Sequence, residues 1–438
     1  MFKYAPFIMA LFAPLSAHAA SDEDLHNLGE QIKQLQDHHL QLEQQLQQNV
    51  AAPPQNVRPT NSAAAFNPAI SLILGGTYGN LKQDPAIPAT GFAMSANPGH
   101  EQGFNPGESE LVIEANIDPQ FRGVGVFAVD PAGGISAEEA NVQTTALGKG
   151  LTLKMGRFFS GLGYLNGKHA HIWDFVDQPL VYAALWDNQL GEDGVQIKWL
   201  APAAMFIEIG GEIGRGRSFP GTDRVKNGSG AGVLFAHMGD DIGLEHNWLV
   251  GVSLHQTRRA NAISDAVPDL NTADGVSNSF TGDSRTAGLD FIWKYAPNGN
   301  VRETHFTFLG EYFRRKESGL LTYDTAAVPA NIPDSYAVTQ SGWYVQSIYK
   351  FMRRWRAGLR YDRLDSGTAQ VGARNITNVV SDYHYSPTRK TLMLDYSPSE
   401  FSRLRLQLAQ DNSRQGLPDR QLFVQYIMSI GAHGAHQY

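Results

Sequence analysis

The feature that most constrains this chain is an apolar side chain at every second position of many short segments. In residues 422–430 one face carries Leu422, Val424, Tyr426, Met428 and Ile430, and the other carries Phe423, Gln425, Ile427 and Ser429. Successive side chains of a strand point to opposite faces, so this period of two predicts β-strands. The same period recurs in residues 111–117, 151–156, 195–199, 205–210, 289–293 and 404–408.

Charged side chains occupy the face opposite the apolar one in several of these segments, as Lys154, Lys198, Arg403 and Arg405 show. A barrel with a water-filled lumen needs this arrangement, because its outer face meets lipid and its inner face meets water. A soluble β-sandwich or β-propeller also alternates, with the apolar face inside. With weaker segments included, the pattern predicts about sixteen strands.

The N-terminus favours the membrane interpretation. Lys3, an apolar stretch from Pro6 to Leu15 and the small-x-small sequence Ala17–Ala19 predict a signal peptide over residues 1–19. The chain has no cysteine, which excludes disulfides and a lipid-anchored cysteine. We therefore expect an all-β, antiparallel transmembrane barrel over residues 69–438 in a bacterial outer membrane, with the aromatic residue Tyr438 serving its assembly.

Residues 20–50 predict a short periplasmic coiled coil. Leucines and one isoleucine recur at alternating spacings of three and four, with His39 interrupting the seam. A coil that bundles three subunits is one interpretation, and a single amphipathic helix packed on another surface is the alternative. Residues 51–68 contain Pro53, Pro54, Pro59 and Pro68, which indicates a semi-extended linker.

Composition restricts the function classes. A net charge of -8 argues against a nucleic-acid partner. The 44 glycines, 22 phenylalanines and 16 tyrosines suit the turns and aromatic girdles of a membrane barrel. The sequence contains no recognisable nucleophile motif, so we expect neither an enzyme nor a cofactor. A barrel enzyme or an adhesin remains a further alternative.

A family resemblance adds to these inferences. The order of signal, coiled coil, proline linker and barrel resembles the substrate-selective bacterial porins, including sucrose and phosphate-selective porins. Trp355–Asp365 resembles a strand of the phosphate-selective group, and Leu394–Leu406 with Phe423–Tyr438 resembles zinc-regulated outer-membrane proteins of proteobacteria. The resemblance implies a homotrimer surrounded by outer-membrane lipids and assembled by the barrel-assembly machinery through its C-terminal strand.

The implied function is passive, partly selective diffusion of small hydrophilic solutes, either anions or sugars, through a charged lumen. Uptake of zinc or another metal is the alternative. An energised receptor with 22 strands and a globular plug would need a far longer chain.

Three groups of residues are candidates for selectivity. Arginines on one parity of two strands predict a cationic wall: Arg354, Arg356, Arg360, Arg403 and Arg405. The alternative is ordinary lumen charge balanced by acids such as Asp362 and Asp395. Residues 158–187 carry Asp174 and Asp177 and predict a loop folded into the pore, whose acids face the arginines across a constriction. An extracellular loop is the alternative. Further charged candidates for the pore are Lys154, Arg157, Lys198 and Glu208.

Aromatic side chains in the same loop, Trp173, Phe175, Tyr182 and Trp186, are candidate surfaces for sugar rings. Two histidine pairs, His169 with His171 and His433 with His436, raise the question of a Zn²⁺ or Cu²⁺ site. Neither pair has an evident third ligand in the sequence, so exposed loop histidines are the favoured interpretation.

Overall fold

The structure is a computed structural model that describes residues 68–85, 87–92, 101–107, 109–129, 133–222, 227–264, 278–329 and 331–431. The described residues belong to one compact unit, Ala65–Tyr438. The predicted signal peptide, the predicted coiled coil and all but the last residue of the predicted linker lie outside the described residues.

Within the described ranges the chain forms eighteen strands. They are β1 (Ala69–Asn80), β2 (Gly103–Asn105), β3 (Ser109–Asn116), β4 (Phe121–Val129), β5 (Ile135–Thr144), β6 (Leu151–Phe159), β7 (Gly191–Leu200), β8 (Phe206–Gly214), β9 (Ala231–Ile242), β10 (His246–Ser264), β11 (Asn278–Tyr295), β12 (His305–Thr322), β13 (Asp334–Met352), β14 (Trp355–Asp365), β15 (Gln370–Val371), β16 (Thr388–Ser399), β17 (Ser402–Asn412) and β18 (Asp419–Gly431). One α-helix, α1 (Leu180–Trp186), and two 3₁₀ turns, Ala170–Ile172 and Pro297–Gly299, complete the described elements.

The sheet closes on itself. Each long strand pairs with its neighbour in antiparallel register, and β1 pairs with both β3 and β18. The short strands β2 and β15 only extend this ring, which leaves sixteen strands in the wall. A closed antiparallel barrel of sixteen strands confirms the prediction from the alternating segments.

The exposed fractions of the side chains identify the outer face of the barrel wall. On β17 the side chains of Leu404, Leu406 and Leu408 are 47%, 43% and 47% exposed, whereas Arg405 is 2% exposed and Gln407 is fully buried. Apolar side chains on the outside and polar ones on the inside are the arrangement of a barrel in a bilayer. A soluble sandwich would bury the apolar face instead, so that alternative is excluded.

The wall is uneven in height. Strands β3 to β8 have 8 to 10 residues, whereas strands β10 to β13 have 18 or 19. Short connections such as residues 353–354 lie at the end where β1 begins and β18 ends, and long ones such as residues 160–190 lie at the other end. In outer-membrane barrels the short turns are periplasmic and the long loops extracellular. Among the described residues, no helix has the length and hydropathy to cross a bilayer.

Candidate functional site

The candidate site is built around residues 160–190, which connect β6 to β7 and fold into the lumen; we call them the inserted loop. Its apolar residues are almost all buried, including every side chain of α1 except Ala183. Its polar atoms bond to inward-facing side chains on strands from β3 to β17. The sequence placed a loop inside the barrel in this region, and the structure places it there.

Asn166 fastens the base of the inserted loop. Its side-chain N–H groups donate to the carbonyl oxygens of Ser160 and Leu190, each at 2.9 Å, and its side-chain oxygen accepts the Leu190 N–H at 2.7 Å. The Asn166 side chain is fully buried. The Asn166 side-chain amide therefore forms hydrogen bonds with backbone groups at both ends of the 31-residue inserted loop.

The aromatic residues of the inserted loop pack into the wall. The ring of Tyr182 lies 5.3 Å from that of Phe313, and the ring of Trp186 lies 4.8 Å from it, both edge to face. Trp173 and Phe175 are buried as well. The prediction that these four rings offer surfaces to sugars was wrong, because packing against the wall covers them.

Glu311 of β12 is a buried carboxylate that anchors the inserted loop. It accepts the backbone N–H of Tyr164 at 2.6 Å, the Tyr182 hydroxyl at 3.1 Å and the Tyr344 hydroxyl. Burial and the charge of Glu311 raise the pKa of the Tyr182 hydroxyl well above its usual value, which keeps it a donor. Gly163 passes beside this carboxylate at φ +63°, where a Cβ atom would lie 2.6 Å from the Glu311 oxygen.

The predicted arginines and acids meet directly. Asp174 lies 3.0 Å from Arg356, and Asp177 lies 2.9 Å from Arg360. Asp177 also lies 2.6 Å from Arg389, a residue that the sequence analysis did not select. The predicted acids therefore do face the predicted arginines, and they form ion pairs in direct contact.

The remaining arginines of the predicted wall also make specific contacts. Arg405 lies 2.8 Å from Asp395 and donates to the carbonyl oxygen of Trp173 at 2.8 Å. Arg403 donates to the carbonyl oxygen of His171. Asp362 and Asp395, named as balancing acids, pair with Arg360 and Arg405 respectively. Most of this cationic wall therefore holds the inserted loop.

Two predicted pore residues lie elsewhere. Arg354 is in the turn between β13 and β14 with an exposed side chain, because the strand ends before it and the next begins at Trp355. Arg157 faces outward on β6, opposite Asp193 of β7, and its guanidinium lies 2.7 Å from that carboxylate. Both assignments to the pore were wrong.

Charged side chains also face the lumen on the side of the barrel formed by the short strands β3 to β8, which we call the low side. Lys154, Lys198 and Glu208 face inward and are partly exposed, and Lys198 lies 2.9 Å from Glu208. On the inserted loop, burial and the nearby Lys294 ammonium lower the pKa of Lys168. Lys154, Lys198 and Glu208 lie toward the end of the barrel that has the short connections, and they remain candidates to meet a solute.

His169 and His171 point from the inserted loop toward glutamates on the wall. His169 Nδ1 lies 3.0 Å from Glu138, and its Nε2 lies 2.8 Å from Glu139. His171 Nδ1 lies 2.9 Å from Glu110. Burial opposes protonation of His169, but hydrogen bonds to Glu138 and Glu139 outweigh it and raise its pKa to about 10. His433 and His436 lie outside the described residues.

Sequence reasoning missed five acids and bases of this site, namely Glu110, Glu138, Glu139, Glu311 and Arg389. Glu311 had a usable signal, since it shares the inward parity of β12 with Phe313 and Arg315. A single carboxylate among buried side chains needs partners, and this identifies it as an anchor. The glutamates of β3 and β5 had no such signal, because their partners are distant in sequence.

Comparison with known proteins supports the fold. No family model matches the chain. A protein of Aquifex aeolicus (strain VF5), described only as uncharacterized, is 31% identical over 412 residues, covering 86% of this chain and 81% of the relative.

Similar solved structures include outer-membrane barrels with low sequence identity. A loop L8 deletion mutant of OmpT, an outer membrane protein of Vibrio cholerae, has a TM-score of 0.51 at 11% identity, covering 84% of this chain and 100% of that one. In-vitro folded OmpT in a trimer form has a TM-score of 0.50 at 10% identity, with coverage of 84% and 100%. An anion-selective porin from Comamonas acidovorans has a TM-score of 0.50 at 11% identity, with coverage of 83% and 99%.

Proposed function

We propose that this chain, which belongs to the same family as the Aquifex aeolicus protein and has the barrel fold of the outer-membrane porins, is an outer-membrane porin. It admits small hydrophilic solutes by passive diffusion. The observation that carries this proposal is the contrast between an exposed apolar outer face and an inner face of charged residues around a loop anchored inside the barrel. An inserted loop narrows the lumen of a sixteen-stranded barrel.

The proposed path runs beside the low side of the wall. Residues 167–172 are the most accessible stretch of the inserted loop, and Lys154, Lys198 and Glu208 are partly exposed inward-facing residues of the low side. Lysines and a glutamate in one passage give a field of both signs that favours small polar solutes. The ammonium groups of Lys154 and Lys198 make anions the preferred charge class.

The proposed assembly is a homotrimer, with its N-terminal segment in the periplasm. The trimer form of the Vibrio cholerae barrel is consistent with this proposal. Deletion of residues 25–46 tests whether the predicted coil contributes. We expect the unheated protein to migrate as a trimer in a detergent gel and the deleted form to dissociate at a lower temperature. A trimer of unchanged heat stability would make the coil dispensable.

Planar-bilayer recording of the purified full-length protein tests the proposed function. We expect stepwise openings in groups of three, and a reversal potential in a KCl gradient that indicates anion preference. Added phosphate or sugars then show which solute class blocks the current. A protein that inserts into the bilayer yet never conducts would refute the porin proposal and turn the search toward an enzyme or an adhesin.

A further inference from the structure

A compact cluster of imidazoles and carboxylates joins the inserted loop to the low side of the wall. The loop contributes His169, the residue before its 3₁₀ turn Ala170–Ile172, and His171, which lies within that turn. Strand β3 contributes Glu110, and strand β5 contributes Glu138. His169, Glu110 and Glu138 each place one nitrogen or oxygen within 4.8 Å of the others.

The distances suit one central cation. His169 Nδ1 lies 3.0 Å from Glu138 Oε2 and 3.6 Å from Glu110 Oε2. The same Glu110 oxygen lies 3.0 Å from His171 Nδ1. Tetrahedral zinc with bonds of about 2.0–2.1 Å separates its ligands by roughly 3.3 Å. The measured separations therefore need shifts of only a few tenths of an ångström around such an ion.

We propose that His169, Glu110 and Glu138 form a binding site for a divalent transition-metal ion, with Zn²⁺ the best match, and that His171 holds the Glu110 carboxylate beside it. An imidazole nitrogen with two carboxylate oxygens favours zinc over magnesium and calcium, which prefer oxygen ligands alone. The site goes beyond passive diffusion, because it adds a ligand that the proposed porin function does not require.

A second feature of the cluster supports a metal. A histidine ligand usually donates its other ring N–H to a carboxylate, which fixes the ring and its tautomer. Glu139 occupies that position, with its Oε1 2.8 Å from His169 Nε2. On the far side of the turn, Arg403 holds the His171 carbonyl oxygen. The His169 ring is thus oriented by a carboxylate outside the proposed ligand set, and the backbone at His171 is held by Arg403.

The position of the ligands gives the metal a mechanical effect. One ligand comes from the inserted loop and two come from the wall, so one ion would tie the loop to β3 and β5. The arginine pairs of Asp174 and Asp177 fasten the loop to β14 and β16. A bound ion would complete the attachment and restrict the loop next to the proposed path.

The competing explanation is a set of ion pairs between protonated histidines and glutamates. Such pairs account for the same contacts without any metal, and they would bind zinc no better than surface histidines do. Zinc titration separates the two explanations, since only a built site binds one ion per subunit tightly.

The test uses the full-length protein in detergent, stripped with a chelator and titrated with ZnCl₂ by isothermal calorimetry. We expect one tight site per subunit and no heat from MgCl₂ at the same concentrations. His169→Asn and Glu110→Gln remove ligands and should abolish tight binding. Glu139→Gln removes only the orienting carboxylate and should weaken binding about tenfold.

Two controls keep the result specific. His384 lies on another loop with its side chain 85% exposed, so His384→Asn should bind zinc as the parent does. A double variant, His433→Asn with His436→Asn, removes the other histidine pair and should also retain the tight site. Heat-modified migration in detergent gels establishes that each variant is folded.

Either of two outcomes overturns the proposal: a parent protein that binds no zinc at micromolar concentration, or folded His169→Asn and Glu110→Gln variants that bind as the parent does. Channel recording with chelator distinguishes this from failure of the porin proposal. Conductance that persists in chelator, together with absent zinc binding, refutes the metal site and leaves the porin intact. Micromolar Zn²⁺ should reduce the conductance of the parent but not of His169→Asn.

Discussion

The carboxylate of Asp177, on the inserted loop, lies 2.6 Å from the guanidinium of Arg389 on β16. The same carboxylate also meets Arg360 of β14 and the side-chain amide of Gln407 on β17. One loop residue is thereby bonded to three strands of the wall. The position of the loop in the lumen depends on such contacts rather than on the length of the loop.

Replacing Asp177 by Asn should loosen the inserted loop. The change leaves Arg360 and Arg389 with less counter-charge at a mostly buried position, a loss of about 3 kcal/mol by analogy with other broken buried pairs. We expect larger and noisier single-channel conductance. Asp193→Asn is the matched control, because Asp193 also pairs with an arginine but on the outer face. Equal recordings from the two variants would contradict the anchoring role.

Arg356 and Arg360 should behave differently when each is changed to Gln. The Arg356 side chain is 23% exposed beside Asp174 of the inserted loop, whereas the Arg360 side chain is 1% exposed and enclosed by Asp177 and Asp362. We expect Arg356→Gln to shift the reversal potential in a KCl gradient toward cation preference. Arg360→Gln should leave selectivity unchanged and lower the unfolding temperature. The reverse pattern would assign selectivity to the buried arginine.

Tyr344→Phe should destabilise the barrel by removing one of three donors to the buried Glu311 carboxylate. Loss of a donor to a buried acceptor costs about 1–3 kcal/mol. The matched control is Tyr349→Phe on the outer face of the same strand, where the side chain is half exposed and the expected change is within about 0.5 kcal/mol. Unfolding in urea measures both, and similar values would remove Glu311 from the list of anchors.

Leu406→Arg should impair insertion into the bilayer. Leu406 is the middle residue of the outward apolar row on β17, between Leu404 and Leu408. An arginine near the bilayer midplane of a barrel costs about 2–4 kcal/mol. Leu406→Phe is the control that keeps the position apolar. Folding yield into lipid vesicles measures the difference, and equal yields would contradict the assignment of this face to lipid.

The inner and outer faces of most wall strands were predictable, because the alternation of apolar and polar residues is a local property of the sequence. The parity of Leu404, Leu406 and Leu408 against Arg403 and Arg405 already assigns both faces of β17, and the structure agrees. Arg157 shows where the prediction departed from this rule. It shares the parity of Leu151, Leu153 and Met155, which points outward, yet its charge alone had suggested the pore.

The site was less predictable because its contacts are distant along the chain. Arg405 reaches the Trp173 carbonyl oxygen across 232 residues, and no periodicity indicates that pairing. Likewise, the histidines were visible as a pair, but Glu110 and Glu138 become their neighbours only when the loop turns back into the lumen. Arg354 was assigned to a strand because parity does not reveal a two-residue turn.

The uneven wall has a consequence for how the protein meets its surroundings. On β11 the outward row is apolar from Tyr295 to Ala287 and then turns polar at Arg285, with seven residues of the strand still to come. At about 3.3 Å per residue and a tilt of about 40°, nine residues rise roughly 23 Å, close to the height of a lipid-facing band. The tall strands therefore continue well past the lipid, while the strands of the low side end near its surface. At the end of the barrel that has the long loops, the wall therefore projects on one side only, and the residues of β10 to β13 beyond Arg285 form an exposed rim above the short strands.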